Sequence, residues 1–512
     1  MTAPPAPILT APLRRIEVWT LAVVAVLIVA RLLVAIFAPI SPDESYYWLW
    51  ARPVQLSYFD HPGMVAWWIW CSTHVLGDTA IGVRLPAVLS TVVVSGLVWD
   101  TARIVWQSRE AAARAVLWLN ATLVFGAVGI LMTPDVPLVL FWSIALWSIC
   151  RLIQGGGTRW LYIAGLAFGL GVISKYTMGL LAPGAVVTFL VFPSLRHWFK
   201  SVHLWLALIL SLLCTAPVVI WNAHHDWASI AKQGGHAFAS AISDPIGNML
   251  TFIGGQFGMA TPIILIFILW ATGWALIRGW KDRRADWFLL GASSLPVIAF
   301  FTLHALSNVV QAHWPGPSYI GGAIAAAGAP MVANARSRLR RSFTRAGPIL
   351  GIVLTALVYL QASTALLPIT PRIDGTKRLG GWDELAQAVD QDRAAHPDTF
   401  LLVIKHETGS LLTFHLPDHP TVFQLTGIVR PSFYTADDVA ALKGRSALVV
   451  TETREGDLGF LKPYFERLTP LDTVTLHWGG RVADQFTITL AENYRGGVIV
   501  EGDGYPGALD KP

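Results

Sequence analysis

From its start to about residue 367 the chain alternates between long apolar runs and short polar connections. A helix needs about 20 predominantly apolar residues to cross a hydrocarbon core of ~30 Å. Windows of this kind fall near 17–39, 82–102, 114–132, 135–152, 159–174, 177–194, 203–221, 247–272, 286–304, 315–333 and 347–367, predicting about eleven transmembrane helices. The fifth and sixth are short enough to be tilted or partly re-entrant. The first run is too long for a signal peptide and lacks a clear cleavage site, so it reads as an uncleaved span. Past Pro371 the pattern changes. Apolar runs shorten to strand length in TFLLVI (399–404), ALVVTE (447–452), DTVTLHW (472–478) and DQFTITL (484–490), and WDELAQAVDQDRAA has the spacing of an amphipathic helix. Strands with one or two helices predict a small α/β domain over 369–512.

Basic residues set the topology. One set of connections carries Arg14 and Arg15, Arg103 to Arg114, Arg151 and Arg159, Arg196 and Lys200, Arg278 to Arg284, and Arg336 to Arg345. The alternate set holds little beyond Arg52, Arg84, Lys175 and Lys232. Positive residues stay on the cytoplasmic side. Residues 1–16 are therefore expected in the cytoplasm, 17–368 in the membrane, and 369–512 in the periplasm of a bacterial inner-membrane protein. An odd number of spans places the C-terminal domain outside.

Composition agrees. The 512 residues are 54% hydrophobic and only 13% charged, with a mean hydropathy of +0.53, about half the charge of a soluble domain. The net charge of +5 comes with no basic tail or basic stripe, which argues against a nucleic-acid partner. The three cysteines, Cys71, Cys150 and Cys214, lie in or beside apolar stretches, so neither a disulfide framework nor a Cys-based metal site is expected.

The polar residues suited to chemistry lie in the outer connections. Asp43 and Glu44 follow the first span in SPDESYYW, where they could cap a helix or act on a substrate. Asp60 and His61 follow in YFDHPG, where Pro62 fixes the turn and His61 could equally be a solvated loop residue. Asp135 sits in TPDVP between two spans with almost no loop. Buried unpaired in lipid it would be costly, so it either caps a helix or lines a water-filled cavity. Lys175, in ISKYTMGLL, defies the positive-inside bias, either by snorkelling to the interface or by binding an anion. Tyr46, Tyr47, Trp48, Trp50, Trp67, Trp68 and Trp70 suit an interfacial helix shaping a cleft, or an ordinary aromatic belt. Arg84 is either a phosphate ligand or a headgroup-level anchor, the second reading being favoured, and Arg31 within the first span calls for an acidic or carbonyl partner. A carboxylate base beside cations at headgroup depth is what glycosyl transfer from a lipid phosphate requires.

The order D-E-x-Y-Y, Y-F-D-H-P and G-V-R-L-P, continued by TPDVPL, G-x-x-S-K-Y-T and A-H-W-P-G-P-S-Y, resembles the dolichyl-phosphate-mannose protein mannosyltransferase superfamily over about residues 15–335. Within it the chain is most similar to the bacterial Rgt-type branch of lipid A and core galacturonosyltransferases, and more distantly to the lipid A aminoarabinose transferase. The resemblance implies a GT-C fold and inverting transfer of a sugar from a polyprenyl-phosphate donor. It implies that Asp43 activates the acceptor hydroxyl and that Asp135 is a second acidic residue of the cavity. Asp60, His61 and Pro62 match an acidic–basic–Pro motif whose basic member contacts the donor phosphate, and Lys175 matches a lysine near that phosphate. Glu44, Arg84 and His313 are carried along as substrate-side residues. Two positions depart from the aminoarabinose enzyme: His61 replaces its lysine, and Tyr46 replaces an arginine that would contact phosphate. A histidine binds phosphate strongly only when protonated, which implies pH-dependent activity near neutrality. No cofactor is expected beyond the lipid-linked donor, although a divalent metal stays open. The expected partners are membrane lipids, the donor, and an acceptor in lipid A or core oligosaccharide, with a protein hydroxyl or another glycan as the alternative. The rival from another class is a transporter, whose site would sit near the bilayer midplane on repeated, broken helices.

Overall fold

The structure, a computed structural model, describes residues 14–238, 244–329, 338–370, 372–424, 434, 436–455 and 458–497. The first 13 of the expected cytoplasmic residues, Arg336, and the tail 498–512 of the expected outer domain lie outside these ranges.

Among the described residues six helices are long and apolar enough to cross a membrane: Arg15–Phe37, Ala80–Trp106, Asp135–Ile153, Pro262–Lys281, Ala285–His304 and Arg341–Thr364. Two bent pairs raise the number to eight, Tyr176–Val191 with Pro193–Lys200 at 110° and Val202–Cys214 with Ala216–His224 at 42°. Trp19, Val26, Phe37, Leu212 and Leu213 are between 65% and 70% exposed. An apolar surface of that extent suits lipid rather than water. The chain is a multi-pass membrane protein.

The remaining windows are helical in other ways. The window 114–132 is split between Arg109–Asn120 and Leu123–Val128. The window 247–272 breaks at Thr261 (φ 60°), ahead of Pro262, which cannot continue the helical hydrogen bonding of Pro245–Ala260. Arg159–Val172 has 14 residues, and Gly316–Gly328 has 13 and is buried from Gly316 to Ala327. A helix sealed inside a bundle is as apolar as one facing lipid, so hydropathy alone does not distinguish them.

Arg31 is buried within the bundle. It donates to the Asn120 side-chain carbonyl at 3.1 Å and to the Tyr359 hydroxyl at 3.4 Å, and lies 5.3 Å over the Phe125 ring.

The C-terminal region folds around a five-stranded sheet of β1 (Phe400–Val403), β2 (Val422–Gln424), β3 (Ala447–Glu452), β4 (Arg467–Trp478) and β5 (Arg481–Glu492), in the order β2-β1-β3-β5-β4. β1 pairs in parallel with β2 and β3, whereas β5 runs antiparallel to β3 and β4. Gly479 and Gly480, both at positive φ, close the β4–β5 hairpin in two residues. Helix Trp382–Ala395 matches the amphipathic stretch read from the sequence. Helix His406–His415 packs against the parallel edge and also against helix Pro42–Ala51 of the connection after the first span. Trp48 meets Phe414 edge-on at 5.0 Å and Ser45 Oγ lies 3.0 Å from Ser410 Oγ, so the C-terminal α/β region rests directly on that connection.

Candidate active site

Helix Pro42–Ala51 begins where its sequence requires. The Ser41 hydroxyl accepts from the Glu44 backbone at 3.3 Å, the Glu44 carboxylate accepts from the Ser41 backbone at 3.0 Å, and Pro42 fills the first turn. This capping box occupies Glu44, which also meets Arg84 through two contacts of 2.7 Å. The two side chains are 0% and 1% exposed. Arg84 further donates to the carbonyls of Ala38 and Pro39 at 2.7 Å each. Burial alone would raise the Glu44 pKa, but the adjacent guanidinium overrides it and holds the carboxyl below its usual range. The pair ties the end of the first span to the second and fixes the helix that carries Asp43.

Asp43 is exposed by area, yet protein crowds it on most sides, as expected for a group lining an open cavity. Burial raises its pKa above the ordinary 3.8. Glu407 and Glu44 add to the rise, while His313 and His406 oppose it.

A short turn closed by the Ser57–Pro62 bridge presents Asp60 and His61. Asp60 is buried, accepts from the Tyr46 hydroxyl and pairs with Lys232, while the Gln233 side chain donates to its backbone carbonyl at 2.6 Å. Lys232 also sits 4.4 Å over the Phe59 ring. His61 lies 6.3 Å from Tyr47, ring to ring, and acts electrostatically on Asp135.

Asp135 opens helix Asp135–Ile153 behind Pro134, and both of its oxygens accept from Lys175 Nζ at 2.9 Å. Both residues are buried, and Lys175 lies 5.7 Å over the Trp314 ring. His313 Nε2 is 3.6 Å from Asp135, too far for a hydrogen bond. Burial holds His313 below the ordinary 6.5, against the pull of Asp135 and Asp43 and with the push of Lys175, so its ring is neutral at neutral pH. His313 thus touches the Asp135–Lys175 pair and lies within electrostatic reach of Asp43. Residues 43, 135, 175 and 313 converge; Glu44 and Arg84 adjoin them but are sealed against each other.

Three participants were not assigned from the sequence. Lys232 carried the same signal as Lys175, a basic residue on the sparse side of the membrane. His406 and Glu407 carried none, because only the docking of the C-terminal α/β region brings them to Asp43. Among the described residues no group of three or more His, Cys, Asp or Glu is arranged to hold a metal ion.

Residues 60–221 match the family model described as dolichyl-phosphate-mannose-protein mannosyltransferase. The lipid A galacturonosyltransferase RgtD of Rhizobium johnstonii is 29% identical over 289 residues, covering 56% of this chain and 59% of the relative. The undecaprenyl phosphate-alpha-4-amino-4-deoxy-L-arabinose arabinosyl transferase of Pectobacterium atrosepticum is 29% identical over 196 residues, 35% of each chain. The chain is related to these transferases. It therefore spans 59% of the one relative's length and 35% of the other's. The solved ArnT of Cupriavidus metallidurans superposes with TM-scores of 0.65 in the apo state and 0.63 with undecaprenyl phosphate, at 18% and 16% identity, covering 92% of this chain and 98% of ArnT in both. The fold is therefore the GT-C fold expected from the motifs.

Proposed function

We propose that the chain is an inverting glycosyltransferase that moves a sugar from a polyprenyl-phosphate donor to lipid A or core oligosaccharide at the outer face of the inner membrane. On this reading the N-terminus is cytoplasmic, an odd number of crossings (eleven by the apolar windows) follows, and the soluble domain is periplasmic. The acceptor hydroxyl oxygen attacks the anomeric carbon opposite the phosphate and its proton passes to the Asp43 carboxylate. The bond from that carbon to the phosphate oxygen breaks, and polyprenyl phosphate leaves with the electron pair. Lys175 faces the leaving phosphate: an ammonium has three N–H donors, and Asp135 takes two, leaving one for a phosphate oxygen. His61 and Lys232 supply the other cationic side of the donor site, with Asp60 orienting Lys232. Glu44 and Arg84 hold Asp43 in place rather than touching substrate.

The observation that carries this reading is the buried Asp135–Lys175 pair in contact with His313, which in turn reaches Asp43. The relatives' names, lipid A galacturonosyltransferase and undecaprenyl-phosphate aminoarabinose arabinosyl transferase, support the donor and acceptor classes, as does the undecaprenyl phosphate bound to ArnT. The test is mass spectrometry of lipid A and core from a deletion strain. Loss of one sugar, restored by the gene, is the expected result and names both donor sugar and acceptor. Unchanged lipid A and core would contradict the acceptor class. Solute accumulation in vesicles without a lipid-linked donor would favour transport instead.

A further inference from the structure

Helix Pro42–Ala51 is covered by helix His406–His415 of the soluble domain. Asp43 and Tyr46 stand three residues apart on the covered helix, hence on one face. The ring of His406 meets that of Tyr46 edge-on at 4.6 Å, and His406 Nδ1 lies 2.9 Å from the Glu407 carboxylate. Neither side chain is sealed: His406 is 16% exposed and Glu407 43%. Ser45–Ser410 and Trp48–Phe414 fix the register of the two helices beside this contact.

We propose that the His406–Glu407 pair of the soluble domain is part of the transferase site, as two positioning residues that hold Asp43 ready for the acceptor hydroxyl. This rests on the reading of Asp43 as the base and extends it to a domain outside the matched family segment, residues 60–221. The soluble domain then forms the acceptor-side wall of the cavity, opposite Lys175. The four charged or titratable groups acting on Asp43 come from three elements: Glu44 on its own helix, His313 from the late connection, and His406 and Glu407 from helix His406–His415. Glu407 favours the protonated carboxyl and His406, when charged, the ionised one, so the pair balances opposing influences on a single carboxylate.

That opposition gives a test which simple damage would not imitate. In the purified full-length protein the Asp43 carboxyl is titrated by infrared difference spectroscopy, with Asp43→Asn as the subtraction reference. Glu407→Gln should lower the midpoint and His406→Gln should raise it, each by roughly half a pH unit, the size expected of one charge acting through a partly solvated site. The acid limb of transfer, assayed in membranes of a deletion strain with their own lipid-linked donor and lipid A, should move the same way. Loss of packing would lower the amplitude of both variants without moving their midpoints in opposite directions. Midpoints unmoved in both variants, while Asp43→Asn is inactive, would overturn the proposal and leave Asp43 as the base. An active Asp43→Asn variant would instead remove the reading of Asp43 itself.

Discussion

Removing the Arg84 side chain should cost more stability than any other single polar truncation in the connections that bear the candidate site residues. Arg84 makes two contacts of 2.7 Å to Glu44 and donates to the carbonyls of Ala38 and Pro39 at 2.7 Å each, with a weaker 3.4 Å contact to Val34. In Arg84→Ala the Glu44 carboxylate stays sealed and keeps only the backbone N–H groups of Ser41 at 3.0 Å and Met132 at 3.2 Å. A buried charge stripped of its partner costs about 3–5 kcal/mol, whereas replacing both partners by apolar groups of similar volume is often nearly neutral. Arg84→Ala should therefore unfold several degrees earlier in detergent, followed by fluorescence-detected size exclusion, and Glu44→Gln/Arg84→Met should recover about 2 kcal/mol or more of the loss. Wild-type melting of Arg84→Ala, or a double variant as unstable as the two single losses added, would refute the assignment of this pair as the clamp on Asp43.

Lys175→Ala should raise the apparent KM for the lipid-linked donor roughly 10- to 100-fold, the loss of one charge-assisted hydrogen bond to phosphate, in assays at fixed acceptor; an unchanged donor KM would argue against that contact. Asp43 must be ionised to act as base, and burial raises its pKa, so the acid limb of kcat/KM for acceptor should lie above the 3.8 of an ordinary aspartate; a limb at or below that value would contradict the role. His313 is held below 6.5 and therefore gains its charge only at more acidic pH, so His313→Gln should leave the rate near pH 7 less affected than the rate on the acid side. A loss at pH 7 as large as that on the acid side would show that the neutral ring itself is required.

Periodicity made some of this visible and hid the rest. Helix Trp382–Ala395 and strands β1, β3, β4 and β5 were legible because their apolar positions alternate or recur at helical spacing over enough residues to stand out. β2, only three residues long (Val422–Gln424), was too short to register. Helix His406–His415 was missed because its apolar residues lie between two packed elements rather than along one stripe. The residues of the site were legible one by one, since acidic and basic side chains at span ends need a reason to be there. Their pairing was not. Asp135 and Lys175 are 40 residues apart, as are Glu44 and Arg84, and only the packing of the spans decides that the first pair meets His313 and Trp314 while the second is tied to the carbonyls at the end of the first span. The Arg31 partner proved to be an amide, Asn120, which carries no charge to mark it.

The role of Asp43 is tested most directly by Asp43→Asn expressed in a deletion strain, with the modified lipid A or core quantified by mass spectrometry and the protein quantified in the membrane. Asparagine keeps the shape and removes a crowded charge whose raised pKa withdraws stability as pH rises past the ordinary carboxylate range, so the variant should accumulate at least as well as wild type. The account predicts normal membrane levels with transfer reduced about 100-fold or more, the contribution of a general base. Near-normal sugar transfer at normal protein levels would contradict it.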